Sequence, residues 1–141
     1  MGVVKVEGLK DSAGEGFPTV PAGRYLCRIT EIKDKQLGES SKYPGNPSIM
    51  LVAKVQQGED NEGHTFVWNQ TIPTSQIDDE EYRSREVNKL KRLAIAAGLD
   101  VEEDEFDTSN LNGCDLIIIA GVEEKQGQPK RNVVKDVLPV E

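Results

Sequence analysis

Between residues 23 and 56, six cations (Arg24, Arg28, Lys33, Lys35, Lys42 and Lys54) face only three acids, Glu31, Asp34 and Glu39. Clustered cations of this kind displace the counterions of a polyanion, in an electrostatic association that salt weakens. A second group, Lys125, Lys130 and Arg131, follows near the end of the chain. The background is the opposite sign: the formal net charge is -8. Residues 59–62, 78–81 and 100–107 hold thirteen acidic side chains and no basic one. Charge is therefore segregated along the chain, and a locally positive surface is compatible with an acidic total.

Catalytic chemistry has little to stand on. His64 is the only histidine, and the sequence contains no HExxH motif, no Cys/His cluster, no Gly-rich phosphate loop and no nucleophile elbow. The acidic run "DDEEY" reads as a helix N-terminus and "VEEDEFD" as a solvated loop, so neither is taken as a metal site. The expectation is a protein without catalysis, cofactor or metal. Cys27 and Cys114 lie in separate apolar runs without CxxC spacing, which predicts reduced, partly buried thiols and a cytoplasmic setting.

The elements that must carry the cations follow from periodicity. A length of 141 residues suits one domain; a Gly- and Pro-rich lead-in over 1–22 precedes a folded unit over 23–141. No apolar run approaches the roughly 18 to 20 residues of a membrane span, and the N-terminus has no signal-peptide pattern. In "RYLCRITEI", Tyr25, Cys27 and Ile29 alternate with Arg24, Leu26, Arg28 and Thr30, giving a strand with one apolar and one charged face. Ile32 breaks the phase, and a bulge would explain it. "SIMLVAKV" puts Ile49, Leu51, Ala53 and Val55 on one face of a second strand. "GEDNEG" then turns into "HTFVWNQTI", a third strand.

A helix is expected over about residues 78–97, with Thr74 or Ser75 as N-cap and Gly98 just past its end. Its core stripe reads as Val87, Leu90, Ala94 and Ala97. "CDLIIIAGV", an apolar run that suits a strand buried on both sides at its centre, and "NVVKDVLPV" complete the set as strands four and five.

Three strands, one helix and two strands make a mainly β chain with the connectivity of an OB-fold, a five-stranded Greek-key barrel with one helix between strands 3 and 4. In that fold ligands lie across strands two and three, gripped by the loops joining strands one to two and four to five. Those loops are "KDKQLGESSKYPGNPS", with Lys33, Lys35, Lys42 and Tyr43, and "EEKQGQPKRN", with Lys125, Lys130 and Arg131. The two loops are expected to converge on a groove that also holds Arg24, Arg28 and Lys54, where a nucleic-acid strand would lie.

The order and spacing of "PAGRYLCRI", "VQQGEDNEG", "LKRLAIAAGL", "LNGCDLIII" and "RNVVKDVLP" across residues 21–139 also resemble the phage-type single-stranded-DNA-binding proteins long filed as a domain of unknown function. The resemblance implies an OB-fold, binding of single-stranded DNA without sequence specificity in phage replication or recombination, and proteins of those processes as further partners. Many replication binders end in an acidic tail that recruits partners, whereas this sequence ends "KDVLPVE", which sets that mode of recruitment aside.

Single-strand binding also needs planar groups for exposed bases. Tyr43, between Lys42 and Pro44 in a loop, is a candidate for stacking, whereas Tyr25 reads as core. Trp68 stands on the strand where OB-folds often stack bases, but it shares a face with Phe66 and Ile72 opposite the polar Thr65, Asn69 and Thr71, so platform and core remain alternatives. Two other readings use the same residues: an RNA-binding OB-fold, and an acidic protein-interaction module or DNA mimic of OB-like fold.

Overall fold

The computed structural model describes residues 2, 3, 5, 7, 19–101 and 105–140. The proposed lead-in lies almost wholly outside them, as does the centre of the acidic run 100–107. Five strands form one antiparallel sheet: β1 (Gly23–Gln36), β2 (Pro47–Val55), β3 (Thr65–Thr71), β4 (Asp115–Glu123) and β5 (Arg131–Leu138). One helix, α1 (Glu80–Ala96), and a short 3-10 turn, Thr108–Leu111, lie between β3 and β4. The sheet order is β3-β2-β1-β4-β5. Its central strand is divided between two partners: Gly23 to Arg28 pair with β4, and Cys27 to Gln36 pair with β2.

Alternation decides what the sheet buries. Tyr25, Cys27 and Ile29 of β1, Ile49, Leu51, Ala53 and Val55 of β2, and Phe66 of β3 all enter the core. Leu116, Ile118 and Ala120 join them from β4 and Val137 from β5. Burial pushes the Cys27 thiol up to about 12, so it stays protonated and behaves as a small apolar side chain. Cys27 and Cys114 are both free. The expected bulge is present as a register shift between Ile29 and Glu31. β4 departs from expectation: Leu116, Ile118 and Ala120 are buried, but Ile117 and Ile119 on the other face are only half-buried.

The helix starts later than expected, because Asp79 is its N-cap, its side chain accepting from Tyr82 N. Thr74 is occupied elsewhere: its hydroxyl donates to Asn46 Oδ1. At the other end Gly98 adopts φ +79°, the left-handed conformation that closes a helix without a Cβ clash. The buried side of α1 carries Glu86, Leu93, Ala94 and Ala96, with Leu90 and Ala97 half-buried against the core. Val87, expected in the core stripe, is not on that side; it is 47% exposed, roughly a quarter turn from the centre of the buried side. Among the described residues no helix is long and apolar enough to cross a membrane.

Phe66 and Val67 are adjacent in sequence and opposite in fate, at 2% and 55% exposure. Phe66→Ala should destabilise the protein by about 3–5 kcal/mol, whereas Val67→Ala should stay within about 0.5 kcal/mol of the parent. Urea unfolding of both variants checks this assignment of faces, and equal losses would contradict it.

Candidate nucleic-acid interface

The register of β1, β2 and β3 brings the predicted cations of the strands onto one side of the sheet. Arg28 stands opposite Lys54, which stands opposite Thr65; Lys33 stands opposite Met50, and Lys35 opposite Ser48. Lys54, Met50 and Ser48 are alternate residues of β2 and so share a face. Without the bulge, even-numbered Arg28 and odd-numbered Lys33 would point to opposite sides. With it, Thr30 and Glu31 both fall between Ile29 and Ile32, and the phase reverses. Arg24, opposite Ile119 of β4, extends the same face beyond the β1–β2 pair.

Between Lys54 and Lys33 the floor on β2 and β3 is largely aliphatic, with Glu31 of β1 opposite Val52. Val52 is paired with Val67, and Met50 with Asn69. Val52 and Met50 are half-buried while Val67 and Asn69 are exposed. From Lys54 to Ser48 the face runs about 20 Å at the usual strand rise. The alternation of "SIMLVAKV" sets Met50 and Val52 with Ser48 and Lys54 on one face of the strand, but sequence reasoning gave Met50, Val52 and Val67 no part in the site.

The two aromatic candidates are not on this face. Trp68 is paired with fully buried Leu51 and is half-buried on the inner side of β3, in a cleft shared with Glu86 and Leu93 of α1 and Val134 of β5. Trp68 shares the inward phase of Phe66 and packs partly against the core. Tyr43 is 8% exposed rather than free in a loop. Its hydroxyl donates to Asp78 Oδ1 at 3.0 Å, and its ring lies 5.9 Å from that of Tyr82. Tyr25 is buried, as expected, and tilts against Phe66.

The loop between β1 and β2 is pinned for the same reason. Asn46, fully buried, donates to the carbonyls of Pro47 and Ile72 and accepts from Thr74. Gln76 donates to Pro44 O from the α1 side. This loop therefore packs at the Thr71 end of β3. The β4–β5 loop packs at the opposite end: Gln128, Pro129, Lys130 and Arg131 share a cleft with His64, Thr65 and Phe66. The two cationic loops do not converge as expected. They stand a strand length apart, and the face of Arg28, Lys33, Lys35 and Lys54 lies between them.

Many of the cations carry an acid partner. Arg28 Nε reaches Asp115 at 2.8 Å, Lys33 reaches Glu31 at 3.3 Å, and Lys42 reaches Asp79 at 3.8 Å. In the β4–β5 loop Glu123 takes both Lys125 (3.1 Å) and Arg131 (3.2 Å), and Lys130 lies 4.0 Å from Glu124. Hydrogen bonding from Lys125 is the main reason the Glu123 carboxyl titrates below its ordinary range. Among the described residues no carboxylate lies within bridging distance of Arg24, Lys35 or Lys54. All these pairs are exposed and exchange readily with water and with other anions.

Neither a protein-family model nor a curated protein matches the chain.

His64 sits where β3 begins, edge-on to Phe66 at 4.8 Å, and its Nε2 is buried without a hydrogen-bond partner. Burial lowers its pKa below 6.5. An unfolded chain then binds the proton more readily than the folded one, so stability is lost as pH falls through 6.5. Depressed carboxylates such as Asp136 and Glu123 add their own losses only at lower pH. Thermal melts should show this upper step in the parent and not in His64→Gln; a variant retaining it would assign the step elsewhere.

Proposed function

We propose that this chain is an OB-fold protein that binds single-stranded DNA without sequence specificity and without catalysis, through the outer face of β1, β2 and β3. The observation that carries the reading is the alignment on one face of Arg28, Lys54, Lys33 and Lys35 around the aliphatic row of Met50, Val52 and Val67. Such a face offers cations to phosphates and a dry surface to bases. The OB-fold reading is supported by the strand–helix–strand order and by a long bent β1 shared between β2 and β4. It also draws on the approach of the edge strands β3 and β5, whose side chains line common clefts. A phage setting, with replication or recombination proteins as partners in the cytoplasm of a host, is what the family resemblance over residues 21–139 implies.

In this reading the acids act as exchangeable place-holders. A phosphate displaces Asp115 from Arg28, and phosphates displace Glu123 from Lys125 and Arg131. A second reading, an acidic protein-interaction module, is favoured by that same pairing, since cations already held by carboxylates leave the acidic surface dominant. RNA would use the same face with added contacts to the 2'-hydroxyl.

Fluorescence anisotropy with labelled single-stranded and duplex DNA and single-stranded RNA separates these readings. Single strands should bind above duplex, with a log-log salt slope of about -0.7 per phosphate neutralised. Arg28→Glu with Lys54→Glu should lower the slope's magnitude by about 1.4, and Asp115→Asn should raise affinity by releasing Arg28. Trp68 emission should change little, because Trp68 faces inward. Absence of binding at low salt would remove the proposal and leave the interaction module.

A further inference from the structure

The surface of α1 turned away from the core is not uniformly polar. Val87 and Ile95 are 47% and 51% exposed, and Lys91 lies between them at four-residue spacing. Arg85, about 160° round the helix from Val87 and so at the rim of this side, has its guanidinium 5.7 Å from the ring centroid of Tyr82. Two neighbouring cations are already engaged: Lys89 with Glu86 and Arg92 with Asp136. Among the described residues no carboxylate lies within bridging distance of Arg85 or Lys91. The exposed side of α1 thus combines two uncovered aliphatic side chains with two positive charges that no described carboxylate bridges.

Its complement lies at the far end of the same molecule. The turn between β2 and β3 projects Glu59 and Asp60 into solvent, neither within bridging distance of a described cation. The turn is built rather than loose: Glu62 Oε1 accepts from Gly58 N at 2.7 Å, and Gly63 N donates back to Val55 O. α1 meets β3 at Gln70, whose amide donates to Glu86, whereas the acidic turn leads into β3 at Thr65. The acidic turn and the Gln70–Glu86 contact of α1 therefore stand at opposite ends of β3.

We infer that the α1 face of Arg85, Val87, Lys91 and Ile95 docks the acidic β2–β3 turn of a second copy of this chain. A contact between two different patches is heterologous and repeats without closing, so it forms a head-to-tail row rather than a two-fold dimer. The row has a direction that suits the proposed site. The β1–β2 loop lies at the α1 end of β3 and the β4–β5 loop at the acidic-turn end. A strand passing from one loop to the other leads from one copy to the next, with a helix meeting a turn at each junction. Only that use rests on the single-strand reading; the contact itself belongs to the free protein.

Sedimentation velocity of the free protein over a concentration series, at low and at high salt, tests the contact. The parent should associate without a fixed end-point at low salt and return to monomer at high salt. Glu59→Lys with Asp60→Lys should weaken association by more than about tenfold, as should Arg85→Glu with Lys91→Glu, because each places like charges together. An equimolar mixture of the two reversed proteins should associate again, since each then presents the charge that the other lacks. A parent that stays monomeric, or a mixture that does not associate, overturns the inference. Should either reversed protein fail to fold by circular dichroism, Glu59→Gln with Asp60→Asn and Arg85→Gln with Lys91→Gln carry the same test by loss alone. A short oligonucleotide that holds one copy reads the single-strand proposal separately: association without oligonucleotide binding would remove that proposal and leave this one.

Discussion

One extra residue in β1 sets the character of the whole molecule. A strand has a side-chain period of two, so a segment as long as Gly23–Gln36 would commit Arg24 and Arg28 to one side and Lys33 and Lys35 to the other. It would also commit Ile29 and Ile32 to opposite sides, and only one could then reach the core. The bulge at Thr30 and Glu31 resolves both conflicts together. Ile29 is fully buried and Ile32 packs partly against the core, while the cations before and after the bulge fall into one phase. It also lies just past the segment where β1 exchanges β4 for β2 as its partner, where added bend and twist are needed. Core, sheet order and charged face thus depend on the same local irregularity.

The charge arrangement follows from placing a cationic face on a protein of net charge -8. Uncompensated, such a face would be attractive to the protein's own acidic segments. Instead it carries its anions with it, in exposed pairs such as Arg28 with Asp115 and Lys33 with Glu31. Pairs in water contribute little to stability, because Coulomb gain is offset by side-chain ordering and by screening. They are therefore easily replaced, and a partner that brings its own anions exchanges one weak pairing for another. What distinguishes a good ligand on such a face is many anions at regular spacing together with apolar surface between them.

How far this was legible in the sequence depends on the range of the forces involved. The inner faces of β1, β2 and β3 could be read from alternation, and so could the bulge, because apolar phase is a local property; the continuous apolar run of β4 concealed its outer side, where Ile117 and Ile119 are only half-buried. Trp68 obeyed the same rule: its parity with Phe66 placed it inside, and only its chemistry suggested otherwise. The fate of Tyr43 was not readable, since it is fixed by Asp78 and Tyr82, distant in sequence and near only once the loop has folded against α1. Asn46 belongs with it, because a buried amide that ties three segments looks like any turn asparagine until its partners are assembled. The N-cap was misjudged for a related reason: Thr74 had the right chemistry and accepts from Gln76 N, but it closes a separate turn to Ile77, and the helix begins only at Glu80, capped by Asp79. The separation of the two cationic loops is a property of the register between strands, which local pattern does not contain.

Among the described residues no aromatic side chain stands on the outer face, and this changes the energetics of the proposed binding mode. A base stacked on an aromatic ring gains roughly 1–3 kcal/mol, and the ring's quadrupole orients it. Val52, Val67 and Met50 offer dispersion and desolvation without that orientation, so each base gains less and base identity matters less. Affinity then depends more on phosphate neutralisation, which salt erodes, and each copy holds its strand loosely. A loosely held strand is covered reliably only when neighbours support one another, since contact between adjacent copies adds to occupancy without asking more of any base. The aliphatic floor and the complementary ends of the molecule thus bear on one requirement: the weaker the grip of a single site, the more coverage must come from contacts between copies.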